Sequence, residues 1–203
     1  MKRNNCKNKI EEKIAKSQFG EVFVVSDFSD MGSQDSVNRV LLRLIDKKII
    51  NKVMRGVYYK PEYNDFLGEN VAPSPNKVAE AIARNFGWTI VPCGDTALNI
   101  LGLSTQVLAV WSYVSDGTYK EYSFDNVKIC FKRTTNKDIS KFSYKTALVI
   151  QSLKALGKDN ITDNPIKKIS GILSTDEKEI MIKEAKISTS WVYEYLKIIC
   201  KNT

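Results

Sequence analysis

Residues 32–48 form a helix-length run in which Val37, Val40, Leu41, Leu44 and Ile45 recur at i, i+3, i+4, i+7 and i+8. That spacing gathers all five on one stripe of a 3.6-residue helix and leaves the opposite side to water. A short basic segment, residues 49–61, follows directly and contains the pair Arg55-Gly56. Glycine adopts positive φ without a Cβ clash, so Arg55-Gly56 suits a tight turn between paired strands at 50–53 and 57–60. An amphipathic helix running into a basic β-hairpin is the order of a winged helix-turn-helix. It is the most specific physical signal in the chain.

The residues upstream fit the same pattern. A first helix is expected over 8–18, with Ile10, Ile14 and Ala15 inward and Gly20 after it. Residues 22–25 are β-branched and too few for a helix, so they read as a strand. Ser26 or Asp27 can cap a short second helix over 27–31, and Ser33 can cap the third. On that third helix Ser36, Arg39, Arg43 and Lys47 occupy a solvent-facing stripe. A core-packed helix presenting a row of hydrogen-bond donors is what reading a DNA major groove requires. Arginine can grip guanine O6 and N7 bidentately, and Gln34 can reach adenine. The candidate DNA-binding residues are therefore Ser33, Gln34, Ser36, Arg39, Arg43, Lys47, Lys52 and Arg55. Gln34, Arg39 and Arg43 would read bases, while Lys47, Lys52 and Arg55 would hold phosphates. Lys60 is also expected to project from the hairpin. Of Tyr58 and Tyr59, one should pack on the helix and its neighbour should point out. The plainer alternative is an amphipathic helix with arginines on its wet side.

Charge supports the first reading. The chain of 203 residues carries a formal +8, unevenly spread. Residues 1–60 hold 13 Lys/Arg against 7 Asp/Glu, and residues 61–203 hold 18 against 16. Cationic excess on one part of a protein favours encounter with a polyanion, although a lysine-rich solvated surface has the same composition. Histidine is absent, which excludes Ser-His-Asp and Cys-His nucleophile systems and every His-containing zinc site. Cys6, Cys93, Cys130 and Cys200 are scattered with no Cys-x-x-Cys pair, so inert thiols are expected rather than disulfides or a zinc knuckle. No apolar run approaches the roughly 20 residues that span a bilayer. The basic start lacks a signal-peptide core, so a cytoplasmic protein with a frayed N-terminus is expected.

Residues 61–75 hold three of the five prolines and read as a linker. The expected domains are therefore 1–62 and 63–203. Beyond the linker, a helix from Ser74 or Asn76 to Gly87, a strand at 88–91 and a short helix at 95–101 are expected. Strands at 107–114, 118–124 and 127–132 follow, joined through Ser115-Asp116-Gly117 and Asp125-Asn126 as hairpins. The remainder reads as helices at 144–156, 165–173 and 176 onward, with a break near Ile187-Ser188 and a capping box from Ser174 and Glu177. Trp88, Trp111 and Trp191 are expected in the core. Asp176, Glu184 and Lys186 mimic part of a metal-dependent nuclease site, but those nuclease residues normally project from neighbouring strands and these lie in a helical pattern. No phosphate-binding glycine motif is present.

The stretch Ala79-Glu80-Ala81-Ile82-Ala83-Arg84-Asn85-Phe86-Gly87-Trp88-Thr89-Ile90-Val91-Pro92-Cys93-Gly94-Asp95-Thr96-Ala97-Leu98-Asn99, followed by Leu101-Gly102-Leu103-Ser104-Thr105-Gln106, resembles the AbiEi-like antitoxin family. The Arg55-Gly56-Val57-Tyr58-Tyr59 hairpin and the helix at 145–157 also fit. These proteins are antitoxins and autorepressors of type IV toxin–antitoxin (abortive-infection) systems. The resemblance implies a winged helix that binds inverted repeats in its own promoter. It also implies a C-terminal domain that counters a nucleotidyltransferase-like toxin without a stable complex.

The combined expectation is an α+β protein: an N-terminal winged helix-turn-helix, then a mixed α/β domain with a small antiparallel sheet and C-terminal helices. It would be a DNA-binding autorepressor and antitoxin rather than an enzyme, acting on double-stranded DNA with no cofactor, metal or membrane. Two alternatives stay open: a metal-dependent defence nuclease using Asp176, Glu184 and Lys186, and a winged-helix protein–protein adaptor.

Overall fold

The first helix begins earlier than its hydrophobic pattern suggests. In the computed structural model, which describes residues 2–134, 139 and 141–201, α1 spans Lys2–Lys16. Cys6 precedes Ile10 and Ile14 at i, i+4, i+8, and all three are buried. The stripe therefore extends a turn upstream, and the segment expected to fray is helical.

β1 (Val22–Val24) follows. A 3-10 turn, Val25–Phe28, takes the place of the second helix expected at 27–31. Asp27 closes that turn locally: its Oδ2 accepts the Val24 N–H at 2.9 Å. α2 (Gln34–Asp46) starts after a Ser33 N-cap and buries Val37, Val40, Leu41 and Leu44, as the spacing predicts. β2 (Asn51–Met54) and β3 (Val57–Tyr59) form an antiparallel hairpin. Its turn is Arg55-Gly56, with Gly56 at φ 81°.

The three strands lie in the order β1-β3-β2, so β3 is central. Phe23 and Tyr58 are register partners and join the core formed by α1 and α2. Strand alternation turns Val22, Val24, Val57 and Tyr59 to the other face. That face is covered too, because α3 (Pro75–Phe86) packs against β1 and β3. Tyr58 and Tyr59 are consequently both 8% exposed, and the expectation that one points outward fails.

The segment expected as a linker contains a small hairpin, β4 (Tyr63–Asn64) and β5 (Glu69–Asn70). The compact units are residues 1–87 and 88–203, a division beyond the 62/63 boundary expected from the prolines. The reason is α3, whose buried Val78, Ala79, Ala81, Ile82 and Ala83 serve the N-terminal unit.

The second unit has a four-stranded sheet made of β6 (Ile90–Pro92), β7 (Val110–Ser115), β8 (Lys120–Phe124) and β9 (Val127–Arg133). The short helix α4 (Asp95–Ile100) lies between β6 and β7 in the chain. The strand order is β6-β7-β9-β8. β7 and β9 run parallel, while β6–β7 and β8–β9 are antiparallel. The sheet is therefore mixed rather than antiparallel, and residues 115–117 do not close a hairpin from β7 to β8. Instead, Asp116 is tied back to Thr89, accepting its N–H at 2.9 Å and donating to its carbonyl at 3.3 Å. Gly117 lies against the Trp88 indole so closely that a Cβ would overlap the ring. The parallel register sets Tyr113 beside Phe131, and both are fully buried.

α5 (Tyr144–Leu156) is buried continuously from Thr146 to Leu153, which marks a helix surrounded on all sides. α6 (Asp163–Ile172), α7 (Thr175–Ala185) and α8 (Ser190–Lys201) complete the unit. Ile169, Met181, Ala185, Val192, Leu196 and Ile199 join the α5 core. The Ser174–Glu177 capping box forms as expected, with bonds of 2.9 and 3.2 Å. Trp88, Trp111 and Trp191 are half-buried rather than central. The architecture is mixed α+β with eight α-helices among the described residues. None of these is long and apolar enough to cross a membrane.

Candidate nucleic-acid interface

The solvent side of α2 is set by what its other side buries. With Val37, Val40, Leu41 and Leu44 inward, Gln34, Asp35, Arg39, Leu42, Arg43 and Asp46 are left exposed. Among the described residues, Arg39 and Arg43 have no ion-pair or hydrogen-bond partner. A partner-free guanidinium can engage a ligand without first breaking an internal contact. Leu42, 57% exposed on the same face, is a feature the sequence pattern did not single out. Its proximity in register to Arg39 and Arg43 was the available signal.

Not every candidate on the helix is available. The Ser33 hydroxyl accepts the Ser36 N–H at 3.4 Å and donates to Ser36 Oγ at 3.0 Å. Both hydroxyls are therefore engaged in the N-cap, and Ser36 is half-buried. Lys47 leans 4.0 Å from Glu11 of α1, which also lies 3.9 Å from Lys7. These residues, with Val40, Arg43 and Asp46, line a cleft of about 220 Å³. Lys47 belongs to an α1–α2 charge network rather than standing free.

The hairpin is reached through residues 47–50, where Lys48 takes φ 57° and the Ile49 N–H donates to the Leu44 carbonyl at 2.9 Å. This reversal leads from the end of α2 into β2 within four residues. Lys52 on β2 and Arg55 at the turn are exposed and, among the described residues, without partners. Lys60 differs from expectation. Its ammonium donates to the carbonyls of Ala15 at 2.9 Å and Ser17 at 2.8 Å and lies 5.1 Å from the Phe19 ring centre. A cation there complements the carbonyl end of α1; its role is to hold the fold.

In the second unit, the side chains of Thr96 and Asn99 in the 94–106 stretch are engaged internally. Thr96 Oγ1, buried, accepts the Ser112 N–H at 2.8 Å, and Asn99 Nδ2 donates to the Gln106 carbonyl at 2.9 Å. Glu184 is likewise committed. Its carboxylate accepts the Ser143 backbone N–H at 3.0 Å and the Ser143 hydroxyl at 2.9 Å, capping α5. Asp176 lies in the first turn of α7, about 12 Å from Glu184 along the helix axis at 1.5 Å per residue. The three nuclease-like residues therefore do not converge. Among the described residues no group of three or more His, Cys, Asp or Glu is placed to hold a metal ion.

The cysteines are free thiols, with Cys6, Cys93 and Cys130 buried. Burial pushes the Cys93 and Cys200 thiols above their ordinary range, an effect opposed by Lys132 and Lys178 respectively. Neither has the lowered pKa of a nucleophilic cysteine.

No curated protein matches the chain. Residues 9–181, which include α2, the β2–β3 hairpin and most of the second unit, match a family of unknown function, DUF6088. The chain belongs to the DUF6088 family.

Proposed function

We propose that the N-terminal unit is a winged helix that binds double-stranded DNA, with α2 in the major groove and the β2–β3 hairpin on the adjacent backbone. The observation that carries this reading is the partner-free state of Arg39, Arg43, Lys52 and Arg55, against the internal engagement of Lys47, Lys60 and Arg84. The element order supports it: helix, strand, short helical turn, helix and hairpin, with β3 central in the sheet. Arg39, Arg43 and Gln34 read base edges, Leu42 offers an apolar contact to a thymine methyl, and Lys52 and Arg55 hold phosphates. Ser33 and Ser36 contribute by fixing the start of α2.

The protein is a cytoplasmic autorepressor in this reading, acting on inverted repeats of its own promoter. The C-terminal unit is the antitoxin part, countering a nucleotidyltransferase-like toxin without a stable complex. The similarity of residues 79–106 to AbiEi-like antitoxins supports that assignment. Titration of the protein against its own upstream DNA, beside a shuffled duplex of equal length, tests the DNA reading. Selective, salt-sensitive binding is expected, and equal weak binding to both would remove it. Co-expression with the neighbouring gene product tests the antitoxin part separately: restored growth is expected, and unrelieved toxicity would remove it.

A further inference from the structure

The β4–β5 hairpin presents its largest apolar side chains to water on a rigid tip. Phe66 is 95% exposed and Leu67 60%. The tip is fixed from within, because Asn64 Oδ1 accepts the N–H groups of both Phe66 and Leu67 at 3.0 Å. The Gly68 N–H then closes on the Asn64 carbonyl at 2.9 Å. An ordered turn that holds two large apolar residues outward, with Tyr63 also exposed behind them, has the form of a plug. Its charge is one-sided: Glu62, Asp65 and Glu69 lie between Lys60 and Lys77 with no cation among them.

The second unit carries an open, largely apolar groove. Trp191, Tyr195 and Ile198 recur at i, i+4, i+7 on α8 and, with Lys158 and Glu194, line an open groove of about 760 Å³. That volume lies within the roughly 300–1,000 Å³ of pockets that enclose compact apolar groups. The groove walls are braced: Trp191 meets Tyr195 edge-on at 6.4 Å, and the Tyr195 hydroxyl donates to the Lys158 carbonyl at 3.2 Å. Glu194 is neutralised by Lys197 at 2.8 Å, whereas among the described residues the Lys158 ammonium has no carboxylate partner. The groove is thus apolar with a net positive rim.

We infer that the occupant of this groove is the β4–β5 hairpin of a second copy of the chain, with Phe66 and Leu67 seated on Trp191, Tyr195 and Ile198 and Asp65 paired with Lys158. Charge complementarity selects this arrangement over tip-to-tip pairing of two hairpins, which would bring like carboxylates together. A contact between two different surfaces of the chain closes a two-fold dimer only when both copies exchange it. The inference stands on the hairpin and the groove alone and does not rest on DNA binding.

Sedimentation of the full chain without DNA, across micromolar concentrations, tests it. A monomer–dimer equilibrium is expected, and Phe66→Ser, Leu67→Ser and Trp191→Ala should each raise its dissociation constant about tenfold or more. Asp65→Lys and Lys158→Glu change exposed residues and should leave the circular dichroism spectrum unchanged. Each alone should weaken the dimer, and the two in one chain should restore it. A monomer at every concentration would overturn the inference. So would a dimer that ignores Phe66→Ser, or one that tightens with salt and tolerates Lys158→Glu, the signature of tip-to-tip pairing.

Discussion

Arg84 clamps Asp27: its Nε donates to Oδ1 at 2.7 Å and one terminal nitrogen to Oδ2 at 2.9 Å. The same nitrogen reaches the Val22 carbonyl at 3.1 Å, and the Asp27 hydrogen bonds raise the Arg84 pKa further above its ordinary value. The clamp fastens the end of α3 to β1 and the turn beneath α2. Because Asp27 also accepts the Val24 N–H, each partner holds more than the other. Arg84→Ala should cost about 1–2 kcal/mol in chemical denaturation, Asp27→Ala at least as much, and the double variant less than their sum. Strict additivity would show that the clamp contributes nothing.

The same relationship decides where the N-terminal unit ends. A fragment of residues 1–62 lacks α3 and exposes Val22, Val24, Val57 and Tyr59, each worth roughly 1.5–3 kcal/mol when buried. Fragment 1–87 should give a cooperative thermal transition and fragment 1–62 none. Equal cooperativity in both would contradict the role given to α3.

Gly117 is held by close approach. A Cβ there overlaps the Trp88 indole, and Trp88 in turn stacks edge-on with Phe131 at 5.7 Å. Gly117→Ala should destabilise the second unit by about 1–3 kcal/mol, read as a lowered melting temperature. An unchanged melting temperature would mean the turn relaxes freely.

Glu184 separates a capping role from a catalytic one. Glu184→Gln keeps a hydrogen-bond acceptor for Ser143, while Glu184→Ala leaves the Ser143 N–H without its acceptor and its hydroxyl with Thr146 alone. Denaturation should show a loss of about 1–3 kcal/mol for alanine and less for glutamine. Metal-dependent DNA cleavage by the wild-type chain, abolished by both changes, would refute the assignment.

The raised thiol of Cys93 gives an alkaline signature. Its folded pKa lies above the unfolded value of about 8.5, chiefly through burial. The unfolded chain therefore releases that proton first as pH rises. The stabilisation is complete below about pH 8.5 and is lost as pH climbs through the folded pKa. Melting temperature should fall above that point, and Cys93→Ser should make the fall shallower. Parallel curves for the two proteins would remove Cys93 as a cause.

What could be read from the sequence was what local spacing determines. The α2 stripe, the Ser33 and Ser174 caps and the Arg55-Gly56 turn each lie within a few residues, where periodicity and φ preferences act. The misreadings came from partners far apart in the chain. Arg84 and Asp27 are separated by 57 positions, so no local pattern shows that α3 belongs with β1. The β7–β9 pairing depends on Tyr113 meeting Phe131 across the intervening β8, which a hairpin rule cannot anticipate. Lys47 and Lys60 looked free because Glu11 and the carbonyls of Ala15 and Ser17 lie on α1 or at its end. Of the candidate residues, Arg39 and Arg43 are exposed because their neighbours Val40, Leu41 and Leu44 fill the core, and Lys52 and Arg55 because they lie on the hairpin and its turn.

The most direct measurement is the salt dependence of binding to the upstream DNA, compared between wild type, Arg43→Ala and Lys52→Ala. With Lys52 and Arg55 neutralising two phosphates per chain, log K should fall against log salt with a slope of roughly −2 per bound chain. Lys52→Ala should make that slope shallower by about one unit on any duplex, while Arg43→Ala should weaken the upstream site more than the shuffled one. A slope near zero, or equal loss on both duplexes for every variant, would contradict α2 and its hairpin as a sequence-reading pair.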